Sequence, residues 1–165
     1  MNPVNSNQMY LLQFDGAADP NPGKASGAYV LFGPPQKEGD WLVRNVIEEG
    51  FAYIPHATNN EAEYTGLILG LEKALEHKVE SIKIEGDSML VVNQVQGLWR
   101  VKEPRLVKLH ARAASLFGKF KQKSIAHIPR EQNQDADTLS KEGLQAKRET
   151  HRHNWVPKSG PSDFL

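Results

Sequence analysis

Two hydrophobic periods divide the chain. In its first third, short apolar runs alternate with clusters of glycine, proline and asparagine. The runs predict strands over residues 9–15, 28–32 and 41 to about 54, and the glycine-bounded segment 23–27 predicts a turn between the first two. Because the connections between these strands are short, we expect them to form an antiparallel meander.

From residue 60 onwards, apolar residues recur at the three- and four-residue intervals of a helix. The first such segment, residues 60 to about 78, carries them at Tyr64, Leu67, Ile68, Leu71, Ala74 and Leu75. Further helices are predicted over residues 88–96, 104–117 and 133–147, and short strands over residues 79–85 and 124–128. A meander followed by alternating helices and strands predicts an α/β domain with a five-stranded mixed sheet.

Composition is typical of one globular domain: 165 residues, of which 39% are apolar and 24% charged. We assign the domain to residues 9–147, with a disordered lead-in at residues 1–8 and a loose tail at residues 148–165. No apolar run approaches the roughly 20 residues of a membrane span, and the N-terminus lacks the features of a signal peptide. With no cysteine in the chain, disulfides and thiolate chemistry are excluded, and we expect a cytoplasmic, monomeric protein without a membrane partner.

Charge is unevenly distributed although the net charge is zero. Residues 1–98 hold 6 Lys and Arg against 13 Asp and Glu, and residues 99–165 hold 14 against 7. A zero net charge argues against a uniformly basic nucleic-acid binder. The asymmetry fits an acidic site beside a basic surface, and random surface charge is the alternative.

Four acidic residues occupy similar positions in the predicted elements. They stand at the end of a strand or the start of a helix, where ligand sites of open α/β sheets gather: Asp15, Glu63, Asp87 and Asp137. One acid at a helix start is explained by the helix dipole alone. Four that converge would repel one another, which requires a counter-cation, and oxygen ligands favour a hard ion such as Mg²⁺.

The motifs around these acids resemble those of type 1 ribonuclease H in order and spacing. They are Asp15-Gly16, Asn21-Pro22-Gly23, Thr58–Glu63, Gly86-Asp87-Ser88 and His127–Asp137. The resemblance extends from about Tyr10 to Gly143. It implies a five-stranded mixed sheet in the order 3-2-1-4-5 with helices on both faces, and catalytic, metal-binding roles for the four acids. The segment from Trp99 to Pro104 is too short for the basic protrusion of some members, which implies a compact form.

The activity implied by the resemblance is endonucleolytic hydrolysis of the RNA strand of RNA–DNA hybrids, leaving 5′-phosphate and 3′-hydroxyl ends. Two Mg²⁺ ions about 3.5–4 Å apart would activate water and stabilise the leaving oxygen; Mn²⁺ is an open alternative. The resemblance also places at His127 a loop histidine that assists proton movement or product release. A structural histidine that closes the fifth strand is the alternative.

Two neighbouring acids compete with the assigned ones. The family spacing selects Glu63 over Glu61, and Glu61 stands three residues after Thr58, where it completes a capping box. Asp137 precedes Leu139-Ser140 as the family pattern requires, so we expect Asp135 to point to solvent.

Substrate contacts are expected at eight positions, of which the three basic ones follow from the charge asymmetry and not from the resemblance. Asn21, Asn59 and Asn60 match residues near the minor groove, where amide groups can sense 2′-hydroxyls. Thr58 is a candidate for a DNA phosphate, and Trp99 either lies against a DNA sugar or packs on the next helix. Arg100, Lys102 and Arg105 are expected to contact phosphates. Double-stranded RNA is left open as a second substrate.

Other classes of protein remain as alternatives. One is a nucleic-acid-binding module of the same fold that has lost catalysis, which the presence of all four acids disfavours. A second is the ribonuclease H domain of a reverse transcriptase. A third is a DNA nuclease or recombinase of the same fold, which the asparagine-rich motif formed by Asn21, Asn59 and Asn60 disfavours.

Overall fold

The structure is a computed structural model that describes residues 8–153; most of the predicted lead-in and the end of the predicted tail lie outside these residues. The described elements follow in chain order. They are β1 Tyr10–Ala18, β2 Gly23–Phe32, β3 Gln36–Glu38, β4 Trp41–Val43, β5 Val46–Ala57, α1 Asn59–Glu76, β6 Ser81–Gly86, α2 Met89–Val95, α3 Pro104–Phe117, β7 Gln122–His127, a 3₁₀ helix Arg130–Gln132, α4 Gln134–Ala146 and β8 Thr150–His153.

The main sheet has the order β7-β6-β1-β2-β5-β8. Strand β1 lies at its centre, antiparallel to β2 and parallel to β6. The outer pairs are antiparallel between β2 and β5 and parallel between β6 and β7. The predicted mixed sheet of order 3-2-1-4-5 is therefore confirmed as β5-β2-β1-β6-β7, and β8 adds a sixth strand.

Helices cover both faces of the sheet, as predicted. Alternation along β2 sends Tyr29 and Leu31 into the core beneath α1 and α3, whereas Val30 faces the other side and packs with Leu139 of α4. The larger core lies on the α1 side, so the sheet separates a thick hydrophobic layer from a thinner one.

Three local predictions are wrong, each for a physical reason. Residues 41–54 are not one strand, because β3 and β4 form a separate hairpin around Gly39, whose φ is +60°. Residues 23–27 belong to β2 rather than to a turn; at Gly27, α1 approaches so closely that a Cβ atom would lie 2.5 Å from the backbone nitrogen of Gly66. The tail is not loose throughout, because β8 pairs antiparallel with β5. The residues of β8 are polar, so the sequence shows no hydrophobic pattern there.

Glycine allows α1 to rest directly on the sheet. A Cβ atom at Gly66 would lie 2.5 Å from the carbonyl oxygens of both Asp15 and Ala28, so no larger residue fits there. Gly16 likewise faces the backbone of Ala62 and Glu63 across the same contact. This close approach of α1 to β1 brings Glu63 to the side of Asp15.

Candidate active site

Three carboxylates converge where β1, α1 and β6 meet. Asp15 comes from the central strand, Glu63 from α1, and Asp87 from the residue that follows β6. An oxygen of each lies within 4.8 Å of an oxygen of the other two. Asp15 is 4% exposed and Glu63 8% exposed, so two of the three negative groups are packed together away from solvent.

Burial and mutual repulsion favour the neutral forms of these acids. Burial is the main cause that raises the pKa of Asp15 to about 7; a hydrogen bond with Glu63 acts in the opposite direction, and the charge of Asp87 adds to the rise. Burial, followed by the charge of Asp15, also raises the pKa of Glu63 well above its usual range. Without a cation, the cluster therefore holds protons that an isolated carboxylate releases near pH 4.

Asp137 stands beside these three on the first turn of α4, and its surroundings are different. One carboxylate oxygen lies 3.0 Å from Nζ of Lys141 and the other 3.7 Å from a guanidinium nitrogen of Arg130. Partial burial acts to raise the pKa of Asp137, but hydrogen bonds from Lys141 and from Asp15 outweigh it, and the pKa lies below the usual range. Asp137 therefore favours its ionised form, while Asp135 is exposed, as expected.

The donor set fits a hard divalent cation. All the groups that face one another are carboxylates, and Oε2 of Glu63 is buried without a hydrogen-bond partner. A buried oxygen without a partner is costly unless something else compensates it. Mg²⁺ or Mn²⁺ would supply that compensation, because both ions take oxygen ligands.

An open cleft of about 450 Å³ surrounds the acids. His127, at the end of β7, is exposed and lines this cleft, so its position is compatible with the predicted role. Ser88, Arg130 and Lys141 also line the cleft and were missed by the sequence analysis. Lys141 could have been found from its spacing, because it stands four residues after Asp137 on one helix.

The asparagine-rich motif is joined by hydrogen bonds beside the cleft. The side-chain oxygen of Asn59 accepts a hydrogen bond of 2.7 Å from the backbone N–H of Ala18, and the backbone N–H of Asn59 donates to Oδ1 of Asn21 at 3.0 Å. Asn59 and Asn60 line the cleft. Thr58 caps α1 in a capping box with Glu61, which confirms the prediction for Glu61.

A second groove, of about 520 Å³, joins the cleft at Asn60. Trp99, Arg100 and Lys102 line it, whereas Arg105 is exposed on the first turn of α3 and lies outside its lining. Trp99 is exposed, so it is not a core residue of the following helix. Buried Gln94 supports the groove wall, and its side-chain oxygen Oε1 accepts a 2.6 Å hydrogen bond from the hydroxyl of Tyr64.

Comparison with known proteins identifies the family. The profile described as reverse transcriptase-like matches residues 13–143, most of the chain. The chain therefore belongs to this family, and its fold is the ribonuclease H-like fold that the sequence resemblance implied.

Individual relatives agree with this assignment. The chain is 40% identical over 131 residues to ribonuclease HI of Halobacterium salinarum, covering 79% of this chain and 62% of that protein's length. The crystal structure of RNase H1 from the same archaeon is similar, with a TM-score of 0.75, 38% identity, and coverage of 84% of this chain and 98% of that one. LC11-RNase H1, solved in complex with an RNA/DNA hybrid, has a TM-score of 0.69 and 33% identity over 84% of this chain and 98% of its own.

Among residues 8–153, no helix is long and apolar enough to cross a membrane.

Proposed function

We propose that this chain is a metal-dependent endoribonuclease that hydrolyses the RNA strand of RNA–DNA hybrids and leaves 5′-phosphate and 3′-hydroxyl ends. The observation that carries the proposal is the cluster of Asp15, Glu63 and Asp87, with a buried Glu63 oxygen that has no partner, in a cleft open to solvent. A purely structural cluster would have paired these carboxylates with cations or hydrogen-bond donors.

The residues of the cleft have distinct tasks in this proposal. Asp15, Glu63 and Asp87 would hold two Mg²⁺ ions, with Asp137 as the fourth carboxylate. When bound, such ions supply an activated water and stabilise the leaving 3′-oxygen. His127 stands exposed at the edge of the cleft, where an imidazole can exchange protons with the leaving group or with solvent.

The choice of a hybrid substrate has separate support. LC11-RNase H1 was solved with an RNA/DNA hybrid, and this chain places Asn59 and Asn60 at the cleft, with Asn21 bonded to Asn59. Amide groups can donate to and accept from a 2′-hydroxyl. Trp99, Arg100 and Lys102 then follow the DNA strand along the adjoining groove, with Thr58 and Arg105 as further phosphate contacts.

The test uses labelled RNA–DNA hybrid, double-stranded RNA, double-stranded DNA and single-stranded RNA, each with Mg²⁺, with Mn²⁺ and with EDTA. We expect metal-dependent cleavage of the RNA strand of the hybrid. The products should carry 5′-phosphate and free 3′-hydroxyl ends. Asp15→Asn provides the control for contaminating nuclease and should bind the hybrid without cleaving it. Hybrid binding without cleavage by the wild-type protein would support the inactive binding module instead.

A further inference from the structure

Asn133 connects two of the acid-bearing elements. It is completely buried at the N-terminus of α4, and its side-chain amide donates a 2.9 Å hydrogen bond to the carbonyl of Phe14, the residue before Asp15. The backbone carbonyl of Asn133 accepts a 3.1 Å hydrogen bond from the backbone N–H of Asp137. One residue therefore contacts the backbone adjoining Asp15 and begins the helical turn that ends at Asp137.

A second hydrogen-bonded link lies beside the first. The amide of Gln13 donates to the carbonyl of Gln132 at 3.4 Å and to the carboxylate of Glu85 at 2.9 Å. Gln13 stands two residues before Asp15 on β1, so both side chains point to the same face of the sheet. Glu85 likewise stands two residues before Asp87, which places a polar layer directly next to the carboxylate cluster.

The orientation of Asn133 is not the one that helix capping favours. An asparagine at this position normally accepts a hydrogen bond from a backbone N–H of the first turn. Here its side chain makes no capping bond, and its Oδ1 is buried without a partner. The side chain thus forgoes the ordinary local bond and instead binds a strand 119 residues earlier in the chain.

This link opposes the forces that would separate the acids. Asp15 and Asp137 repel each other whenever both are ionised, and Lys141 and Arg130 attract the carboxylate of Asp137. Because Asn133 ties the start of α4 to the β1 backbone next to Asp15, we expect it to influence how far Asp137 stands from Asp15. We propose that Asn133 is a positioning residue that holds Asp137 beside Asp15 so that all four carboxylates face one cation-binding volume, with Gln13 as a weaker second support. The inference rests on the proposed function, because it assumes that the cluster binds a divalent cation.

The test compares Asn133→Ser with Gln134→Ala, an exposed neighbour on the same helix. Serine remains a favourable helix-capping residue but is too short to reach the Phe14 carbonyl. We expect the Mg²⁺ concentration for half-maximal cleavage to rise about 10-fold and kcat to fall about 10-fold, as for other residues that orient metal ligands, with KM for the hybrid unchanged. The increase in Tm that Mg²⁺ produces should also shrink in Asn133→Ser alone. Equal Mg²⁺ responses in the two variants would overturn the inference.

Two outcomes are kept distinct by design. If Asn133→Ser does not fold by circular dichroism, Asn133→Thr takes its place, since threonine also caps helices and lacks the amide donor; an unaltered Mg²⁺ response there would overturn the inference. If the wild-type protein shows no Mg²⁺-dependent cleavage, the proposed function fails. In that case the Mg²⁺-dependent change in Tm still measures whether Asn133 positions a cation site.

Discussion

Buried carboxylates stand at the two ends of α1, and they are treated in opposite ways. At the C-terminal end, Glu48 of β5 is 1% exposed and is surrounded by donors. Tyr29 donates to it at 2.9 Å, His77 lies 2.8 Å away and Lys73 3.8 Å away. At the N-terminal end, Glu63 has other carboxylates as its neighbours and an oxygen with no partner.

The difference separates a structural charge from a functional one. The contacts of Glu48 join β5 to β2 and α1, and His151 of β8 adds a 2.8 Å hydrogen bond to Tyr29 of the same group. Such a network stabilises the fold and has no need of a ligand. We expect the Glu63 cluster to destabilise the fold when no cation is bound, because it is buried without partners, and proteins retain groups of that kind mainly at functional sites.

The largest effect is expected for Glu63→Gln. Loss of this carboxylate should lower the rate of hybrid cleavage by more than about 100-fold, because residues that merely orient metal ligands already cost roughly 10–100-fold. Glu61→Gln is the matched control, since a glutamine can still accept the capping hydrogen bond from Thr58. Initial rates with saturating Mg²⁺ provide the measurement. A comparable loss in both variants would show that the assignment of Glu63 over Glu61 is wrong.

The converse prediction concerns Glu48→Gln, which should change stability and not activity. Removing one member of a buried ion pair typically costs about 3–5 kcal/mol; we expect about 3 kcal/mol, because Lys73 is partly exposed and can reach solvent. Glu49→Gln, whose partner Arg152 is exposed at 3.2 Å, should cost less than about 1 kcal/mol. Urea denaturation measures both. Equal stability of the two variants would remove the distinction between the two ends of α1.

The pH dependence of stability should differ between wild type and Asp15→Asn in EDTA. The pKa of Asp15 is raised by burial to about 7 in the folded protein from 3.8, so the folded state binds more protons than the unfolded state between these values. Stability from this group is complete below about pH 4 and is lost as pH rises through 7, by on the order of 4 kcal/mol. Asparagine cannot ionise, so the variant should become the more stable protein as pH increases. Parallel stability curves from pH 5 to 8 would contradict the raised pKa of Asp15.

The smallest effect is expected from the exposed cations beside the second groove. Replacing Arg100, Lys102 and Arg105 by glutamine should raise KM for the hybrid and reduce the salt dependence of binding by roughly 0.7–0.9 in slope per lost contact. The maximal rate should hardly change, because such contacts act alike on ground and transition states. Lys121→Gln, at the opposite end of β7 from His127, is the control. A triple variant with an unchanged KM would place the basic surface elsewhere.

The sequence predicts most of the fold because hydrophobic periodicity indicates where the main strands and helices lie. Strand β1 and helix α3 have clear apolar patterns, and the four acids were located by motif spacing together with helix and strand ends. Strand β8 was not predictable in this way, since Thr150–His153 is held through His151 bonded to Tyr29 and Arg152 paired with Glu49 and Glu142. The contacts with Tyr29 and Glu49 join residues more than 100 positions apart in the chain, and no local pattern records them.

Within the candidate site, the same limit separates what was found from what was missed. The identity of the acids follows from residue type and position, whereas their protonation depends on burial that only the tertiary structure defines. The unpartnered oxygen of Glu63 and the inward turn of Asn133 likewise depend on the close approach of α1 and α4 to β1. Local sequence therefore identifies the candidate ligands, and packing determines how they are held.

The most direct test of this account is the change in Tm on adding Mg²⁺ at pH 8 to wild type, Glu63→Gln and Glu48→Gln. If the carboxylates at the N-terminal end of α1 are kept unpaired to bind a cation, Mg²⁺ should stabilise wild type and Glu48→Gln by similar increments, although Glu48→Gln starts from a lower Tm. Glu63→Gln should show little or no increment. An increment in Glu63→Gln equal to that of wild type would contradict the account.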